Sequence, residues 1–262
     1  MLSKEKLKEL IKLKTKKGRS QQGKFLLEGL RLCGEALNSS WAIESILFTP
    51  SFEDKIKGND FSKRLQKSNA KMIEVRTRDL EKLSDTITAQ GIMCVVKIRR
   101  NQIEDLWRKN NNFILALDGI RDPGNAGTLI RTADALGVDG VILSGDTVEL
   151  YNPKVVRSTM GSIFHLPVWD EVDLEKTLPE LKNRNFKIIG ADVRQGKSLD
   201  KVNYSGKFCL LIGSEAEGLN DKWLKLSDEV VYIPIIGKAE SLNAAVAGGI
   251  LLYEITRKHT CT

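Results

Sequence analysis

Residues 113–137 read FILALDGIRDPGNAGTLIRTADALG. The apolar run 113–117 is short, unbroken and bounded by turn residues, which suits a strand covered on both faces. Asp122-Pro123-Gly124 then makes a turn, Asn125 is placed to cap, and a helix is predicted over about 126–136, stopped by Gly137. Strand, tight turn and helix form half of a parallel α/β unit, so this stretch sets the fold class. It also poses a chemical question. Caps and turns account for everything here except Arg131, a cation about a turn and a half inside the helix, at the strand-end side where open α/β sheets bind ligands.

Outward from that stretch the pattern repeats. Apolar runs at 140–143, 187–191, 208–212 and 230–233 are predicted strands separated by helices, with a last helix over about 241–257, which predicts a parallel sheet covered on both faces. Upstream, short β-rich runs at 25–27, 43–48, 72–75 and 93–98 alternate with helical runs at 29–38, 60–68 and 78–83, the pattern of a smaller α/β layer domain. A polar stretch separates the two, Arg99-Arg100-Asn101-Gln102 at one end and Lys109-Asn110-Asn111-Asn112 at the other. The expected organisation is a first domain over 1–100, a linker over 101–112 and a second domain over 113–262.

Among 262 residues, 41 Lys and Arg stand against 34 Asp and Glu, a formal charge of +7 that suits a polyanionic partner. Lys4, Lys6, Lys8, Lys12, Lys14, Lys16, Lys17, Arg19 and Lys24 crowd the start of the chain and read as a basic arm. Those lysines interrupt Leu7, Leu10, Ile11 and Leu13, so the segment lacks the unbroken apolar core of a signal peptide. No apolar run is long enough to cross a bilayer, and a soluble, cytoplasmic protein is expected. Cys33, Cys94, Cys209 and Cys261 form no CxxC pair, and His165 and His259 have no companion at ligand spacing, so neither a disulfide framework nor a metal site is expected.

Two further segments carry chemistry. Residues 210–219, LLIGSEAEGL, follow a predicted buried strand; Gly213 and Gly218 permit positive φ or close backbone approach, and Glu215 sits in a turn that needs no carboxylate to fold. The spacing fits neither the dinucleotide fingerprint nor the P-loop. Residues 233–254, IPIIGKAESLNAAVAGGILLYE, place Ser241 and Asn243 at a helix start, where either can serve as N-cap. The small residues of 244–249 allow very close packing, in the core or at a dimer face.

In this order the three segments resemble the SpoU, or TrmH-like, RNA 2′-O-ribose methyltransferases of the SPOUT superfamily, over roughly 113–258. The resemblance implies an α/β fold: a C-terminal trefoil-knotted parallel-sheet domain, and a smaller N-terminal α/β RNA-binding domain similar to a ribosomal protein. It also implies S-adenosylmethionine as cofactor, held around Leu211, Ile212, Gly213, Glu215, Gly218, Ile233, Ile235 and Leu242. Arg131 would activate or stabilise the 2′-oxygen, with Asn125 and Asn243 orienting Arg131 and the ribose, Glu215 fixing a loop or the arginine, and Ser241 completing the polar set. RNA, ribosomal rather than transfer, would meet Lys16, Arg19, Lys24, Lys154 and Arg157, and the chain would pair as a homodimer through the knotted domain, with no metal and no membrane. A non-catalytic RNA-binding protein and a base-nitrogen methyltransferase stand as alternatives; the intact Arg131, Glu215, Ser241 and Asn243 set argues against the first, and Arg131-Thr132-Ala133 favours ribose chemistry over the second.

Overall fold

The computed structural model describes residues 2–56, 58, 60–86, 88–108, 112–193 and 195–260. Lys109, Asn110 and Asn111 of the expected linker lie outside the described residues, as do Cys261 and the side chain of His259. The chain divides into two units, Met1–Arg99 with Tyr151–His165, and Arg100–Leu150 with Leu166–Thr262. The sequence reading left 151–165 with the second domain. The structure corrects this.

The first unit begins with two helices where an arm was expected, α1 (Lys4–Lys12) and α2 (Lys16–Gln22). Ser3 caps α1 by accepting the Lys6 N–H at 3.1 Å, and Thr15 caps α2 by accepting that of Gly18. Leu10 and Leu13 are buried in a cluster with Val75, Leu80, Leu83 and Met93. The lysines between them had masked this apolar stripe. Then follow β1 (Lys24–Glu28), α3 (Leu30–Asn38), β2 (Ile43–Phe48), α4 (Pro50–Ile56), α5 (Asp60–Lys67), β3 (Lys71–Glu74), α6 (Thr77–Leu83) and β4 (Ile92–Lys97). The strands form one mixed sheet in the order β1-β4-β2-β3.

The rest of the chain supplies α7 (Glu104–Arg108), β5 (Phe113–Leu117), α8 (Pro123–Ala135), β6 (Gly140–Ser144), α9 (Pro153–Thr159), β7 (Val168–Val172), α10 (Leu174–Asn183), β8 (Phe186–Ala191), β9 (Lys197–Ser198), β10 (Lys207–Ile212), α11 (Asp221–Leu226), β11 (Glu229–Tyr232) and α12 (Ala244–Thr260). Helix α9 belongs to the first unit. In the second, seven strands run in the order β7-β6-β5-β10-β8-β11-β9, and every pairing is parallel. All five residues of β5 are buried, as expected of a strand covered on both faces. Strands β7 and β9 escaped the sequence reading: β7 carries Asp170 and Glu171 in VWDEV, and β9 is two residues long.

Candidate active site

The site grows from the carboxyl ends of β5, β8, β10 and β11, where parallel sheets leave their connecting loops free to bind. After β5 the chain turns into α8 on an Asp122 cap, whose carboxylate accepts the Asn125 N–H at 2.9 Å, with Pro123 in the first turn. Asn125 is therefore not the cap. Its side chain is released for other partners.

Those partners join the three motifs. Asn125 Nδ2 donates to Glu215 Oε1 at 2.9 Å, and Asn243 Nδ2 donates to Asn125 Oδ1 at 3.0 Å. The Glu215 carboxylate also accepts the backbone N–H groups of Arg121 at 3.1 Å and Asp122 at 3.2 Å. Burial opposes ionisation of Glu215, but the hydrogen bonds from Asn125, Arg121 and Asp122 outweigh it and hold the carboxyl below its ordinary range. Asn243 in turn caps α12, its Oδ1 accepting the Ala245 N–H at 2.9 Å. Glu215 thus fixes a loop, and the two asparagines carry that restraint to the start of α12.

Arg131 lies on the exposed side of α8, and its guanidinium has no hydrogen-bond or ion-pair partner among the described residues. Neither Asn125 nor Asn243 is among its hydrogen-bond partners. Packing of α12 on α8 is close: a Cβ on Gly248 would lie 2.2 Å from Leu129 Cδ2.

Beside the network a cavity of about 290 Å³ opens between the loops after β8, β10 and β11 and the start of α12. Of the expected cofactor residues, Ile212, Gly213, Glu215, Gly218, Ile233, Ile235 and Leu242 line it, and so does Ser241. Leu211 does not. It is fully buried in the core with Ile188 and Trp223, because consecutive strand residues face opposite sides of the sheet. The loop after β10 closes on itself through paired backbone bonds between Ser214 and Gly218, at 3.1 and 3.0 Å. A Cβ at 213 would come within 2.2 Å of the Gly218 backbone, so glycine there serves the loop's own closure. Sequence reasoning missed Asp192, 7% exposed at the end of β8, which also lines the cavity. Its position just past a strand terminus was the available signal.

The expected RNA-contacting residues fare unevenly. Lys16 and Lys154 are exposed, and Arg157 is half-buried beside Glu28 and Asp85 in a small recess of the first unit. Lys24 is ion-paired with Glu44, and its charge outweighs burial to lower the Glu44 carboxyl. Arg19 is a correction: it is 3% exposed, and Nη1 donates to the Leu13 carbonyl at 2.9 Å, tying α2 to the end of α1. Among the described residues no group of three or more His, Cys, Asp or Glu is placed to hold a metal ion, and no helix is long and apolar enough to cross a membrane.

Residues 112–253 match the SpoU rRNA Methylase family, and 4–94 match an MRM3-like substrate binding domain. The chain is 34% identical over 251 residues to the 23S rRNA (guanosine(2553)-2′-O)-methyltransferase RlmP of Bacillus subtilis, covering 96% of each. It is 29% identical to the 23S rRNA (uridine(2479)-2′-O)-methyltransferase of Streptomyces viridochromogenes, over 92% of this chain and 85% of the relative. Among solved structures, AdoMet-bound rRNA methyltransferase from Sinorhizobium meliloti superposes with a TM-score of 0.86 at 29% identity, covering 98% of this chain and 96% of that one. The SpoU methyltransferase AviRb from S. viridochromogenes in complex with AdoMet gives 0.87 at 27% identity, over 98% of both.

Proposed function

Because the chain belongs to the SpoU rRNA methylase family, we propose that it transfers a methyl group from S-adenosylmethionine to a ribose 2′-hydroxyl of ribosomal RNA. The observation that carries the reading is the relay Asn243–Asn125–Glu215, which links all three motifs beside a cavity. The carboxylate at 215 ties its loop to the turn before α8, and the cation at 131 has no structural partner among the described residues. Both make sense if the loops must be held still around a reaction.

The cavity suits the cofactor. Its volume lies near the lower end of small-molecule sites, roughly 300–1,000 Å³, and apolar Ile212, Ile233, Ile235 and Leu242 offer a dry bed for an adenine. Asp192 and Glu217 add anionic character toward a cationic ligand. When bound, the cofactor supplies an electrophilic methyl on a sulfonium. The chain's own contribution is positioning, which can account for much of the barrier reduction.

Arg131 acts electrostatically in this reading, gripping phosphate and stabilising charge that develops on the 2′-oxygen. A guanidinium is not deprotonated in proteins, so a general-base role is disfavoured. Its lack of partners among the described residues keeps its donors available. Glu215 holds the Arg121–Asp122 turn and so sets where α8 begins, while Asn125 and Asn243 hold the start of α12 in register with it.

The finer features belong to the same proposal. A trefoil knot is supported by the placement of late-arriving β10 between β5 and β8, with α12 returning onto α8. A homodimer through this unit is supported by Val246, Ile250 and Tyr253, exposed at helical spacing on α12 while Gly248 packs inward. A cytoplasmic location is compatible with an rRNA substrate. In the direct test, wild-type and Arg131→Ala protein receive labelled S-adenosylmethionine and rRNA from cells lacking the gene. A 2′-O-methylnucleoside formed only by wild type is expected; cofactor binding without transfer to any rRNA would overturn the reading.

A further inference from the structure

The basic start of the chain sorts into two groups once its partners are identified. Lys6 pairs with Glu9 at 3.0 Å, Lys14 with Asp85 at 3.1 Å, Lys24 with Glu44, and Arg19 is buried. Lys4 and Lys8 form no ion pair among the described residues, and both line a groove of about 430 Å³ between α1 and α6. From α6 and the residue before it the same groove takes Arg76, Arg78 and Lys82. Five cations therefore face one lining carboxylate, Asp79.

Asp79 is only 4% exposed and acts from below, its Oδ2 2.7 Å from Arg76 Nε and its Oδ1 3.8 Å from Lys82 Nζ. It orients two of the cations without covering the groove. Lys4 and Lys8, like Arg78 and Lys82, stand four residues apart on one helix, where like charges repel. Glu5 and Glu81 sit on the same two helices but do not line the groove. A solvated face with no partner would gain from interspersing these signs; this one separates them.

We propose that the α1–α6 groove is a phosphate-binding face that docks the RNA backbone. The proposal rests on RNA being the substrate, as argued above, and adds a binding surface that none of the motif residues supplies. A polyphosphate strand matches a row of flexible ammonium groups flanked by guanidinium forks, which can grip phosphate oxygens in pairs. Exposed Ile11 and half-buried Leu7 on the groove wall offer the ribose faces an apolar contact. Such binding is independent of sequence and strongly salt-dependent.

The test uses the full chain and fluorescein-labelled rRNA fragments of mixed sequence, titrated across a salt series. The Lys4→Gln/Lys8→Gln/Arg78→Gln variant should lower the slope of log affinity against log salt by about two to three, at ~0.7–0.9 per lost phosphate contact. Its KM for RNA should rise about tenfold with kcat and cofactor affinity unchanged, since backbone contacts position rather than react. The control variant Lys55→Gln/Lys63→Gln/Lys67→Gln removes equal charge from α4 and α5 and should leave slope and KM close to wild type. Single Lys8→Gln and Arg78→Gln variants guard against misfolding of the triple, each losing about one contact's share of the slope. A wild-type slope in the groove variants, or equal losses in groove and control variants, overturns the proposal. The binding readout does not depend on methyl transfer, so failure of the enzymatic reading would show separately, as absent transfer by wild type.

Discussion

The loop-and-cap site of the second unit and the α1–α6 groove of the first solve opposite problems with polar side chains. At the site nearly every polar group is committed: Glu215 takes three donors, Asn125 bridges to Asn243, and Asn243 caps α12. The Arg131 guanidinium, by contrast, has no partner among the described residues. In the groove, Lys4, Lys8 and Arg78 have no ion-pair partner among the described residues, Lys82 reaches Asp79 only at 3.8 Å, and Arg76 is held by it at hydrogen-bond distance. The difference separates two tasks. Chemistry needs a rigid frame around one free group, whereas docking a flexible polyanion needs many mobile charges and tolerates loose geometry.

If that contrast holds, the largest effect belongs to the unengaged cation at the rigid site. Arg131→Ala should lower kcat by about 10²–10³-fold, the range seen when a donor to a developing oxyanion is lost. Cofactor affinity measured by calorimetry should not change, because Arg131 does not line the cavity. A drop confined to KM for RNA would move Arg131 to the docking class and break the comparison.

Next comes the frame itself. Glu215→Ala should lower kcat by about 10²-fold, the scale of an ångström-level misplacement of reacting groups. Thermal unfolding across pH tests the charge. The folded-state carboxyl is held below its ordinary range, so ionised Glu215 stabilises the fold above its unfolded-state value, near 4.3, and this contribution is lost as pH falls through the depressed folded value. The stability gap between wild type and Glu215→Gln should therefore be constant at neutral pH and close below about pH 4. A gap that widens on acidification would reverse the assignment.

How much of this was legible before the structure depended on sequence separation. The strand, Pro-Gly turn and helix over 113–137 could be read because their signals are local, and even there the cap moved from Asn125 to Asp122. The Asn125–Glu215 and Asn125–Asn243 bonds span 90 and 118 residues, and nothing in spacing reveals them. Family resemblance brought these residues together without saying which touches which. The opening helices were hidden for a different reason: Leu10 and Leu13 carry the core contact, but lysines at nearly every second position conceal the period. Nor could the grouping of Tyr151–His165 with the first unit be seen, since it depends on contacts across the whole chain, such as those of Tyr151 with Phe25 at 5.0 Å and with Trp41 at 6.4 Å.

Asp192 sharpens the comparison from inside the cavity. If it serves the cofactor, Asp192→Asn should weaken S-adenosylmethionine binding by about tenfold, the lower end of what a charge-assisted hydrogen bond contributes. The KM for RNA should stay put. Calorimetry with methylthioadenosine, which keeps the ribose but lacks the amino-acid moiety, locates the contact. Equal loss for both ligands places Asp192 at the nucleoside, and loss for S-adenosylmethionine alone places it at the ammonium or sulfonium end. No loss for either excludes it from the cofactor site.

Arg19 gives the smallest functional effect and the cleanest discrimination between position and charge. It lies within the most basic stretch of the sequence, and by composition alone its removal should weaken RNA binding as much as that of any neighbour. Yet its side chain is buried and donates to the Leu13 carbonyl, which links the end of α1 to α2. Arg19→Gln should therefore leave the RNA affinity and its salt slope within about twofold of wild type. It should destabilise the protein by roughly 1–3 kcal/mol, the penalty for leaving a buried polar group unpaired. Lys8→Gln should do the reverse, sparing stability and lowering the slope. If both variants weaken RNA binding equally while folding normally, charge number rather than placement governs docking, and the groove loses its distinction from the rest of the basic surface.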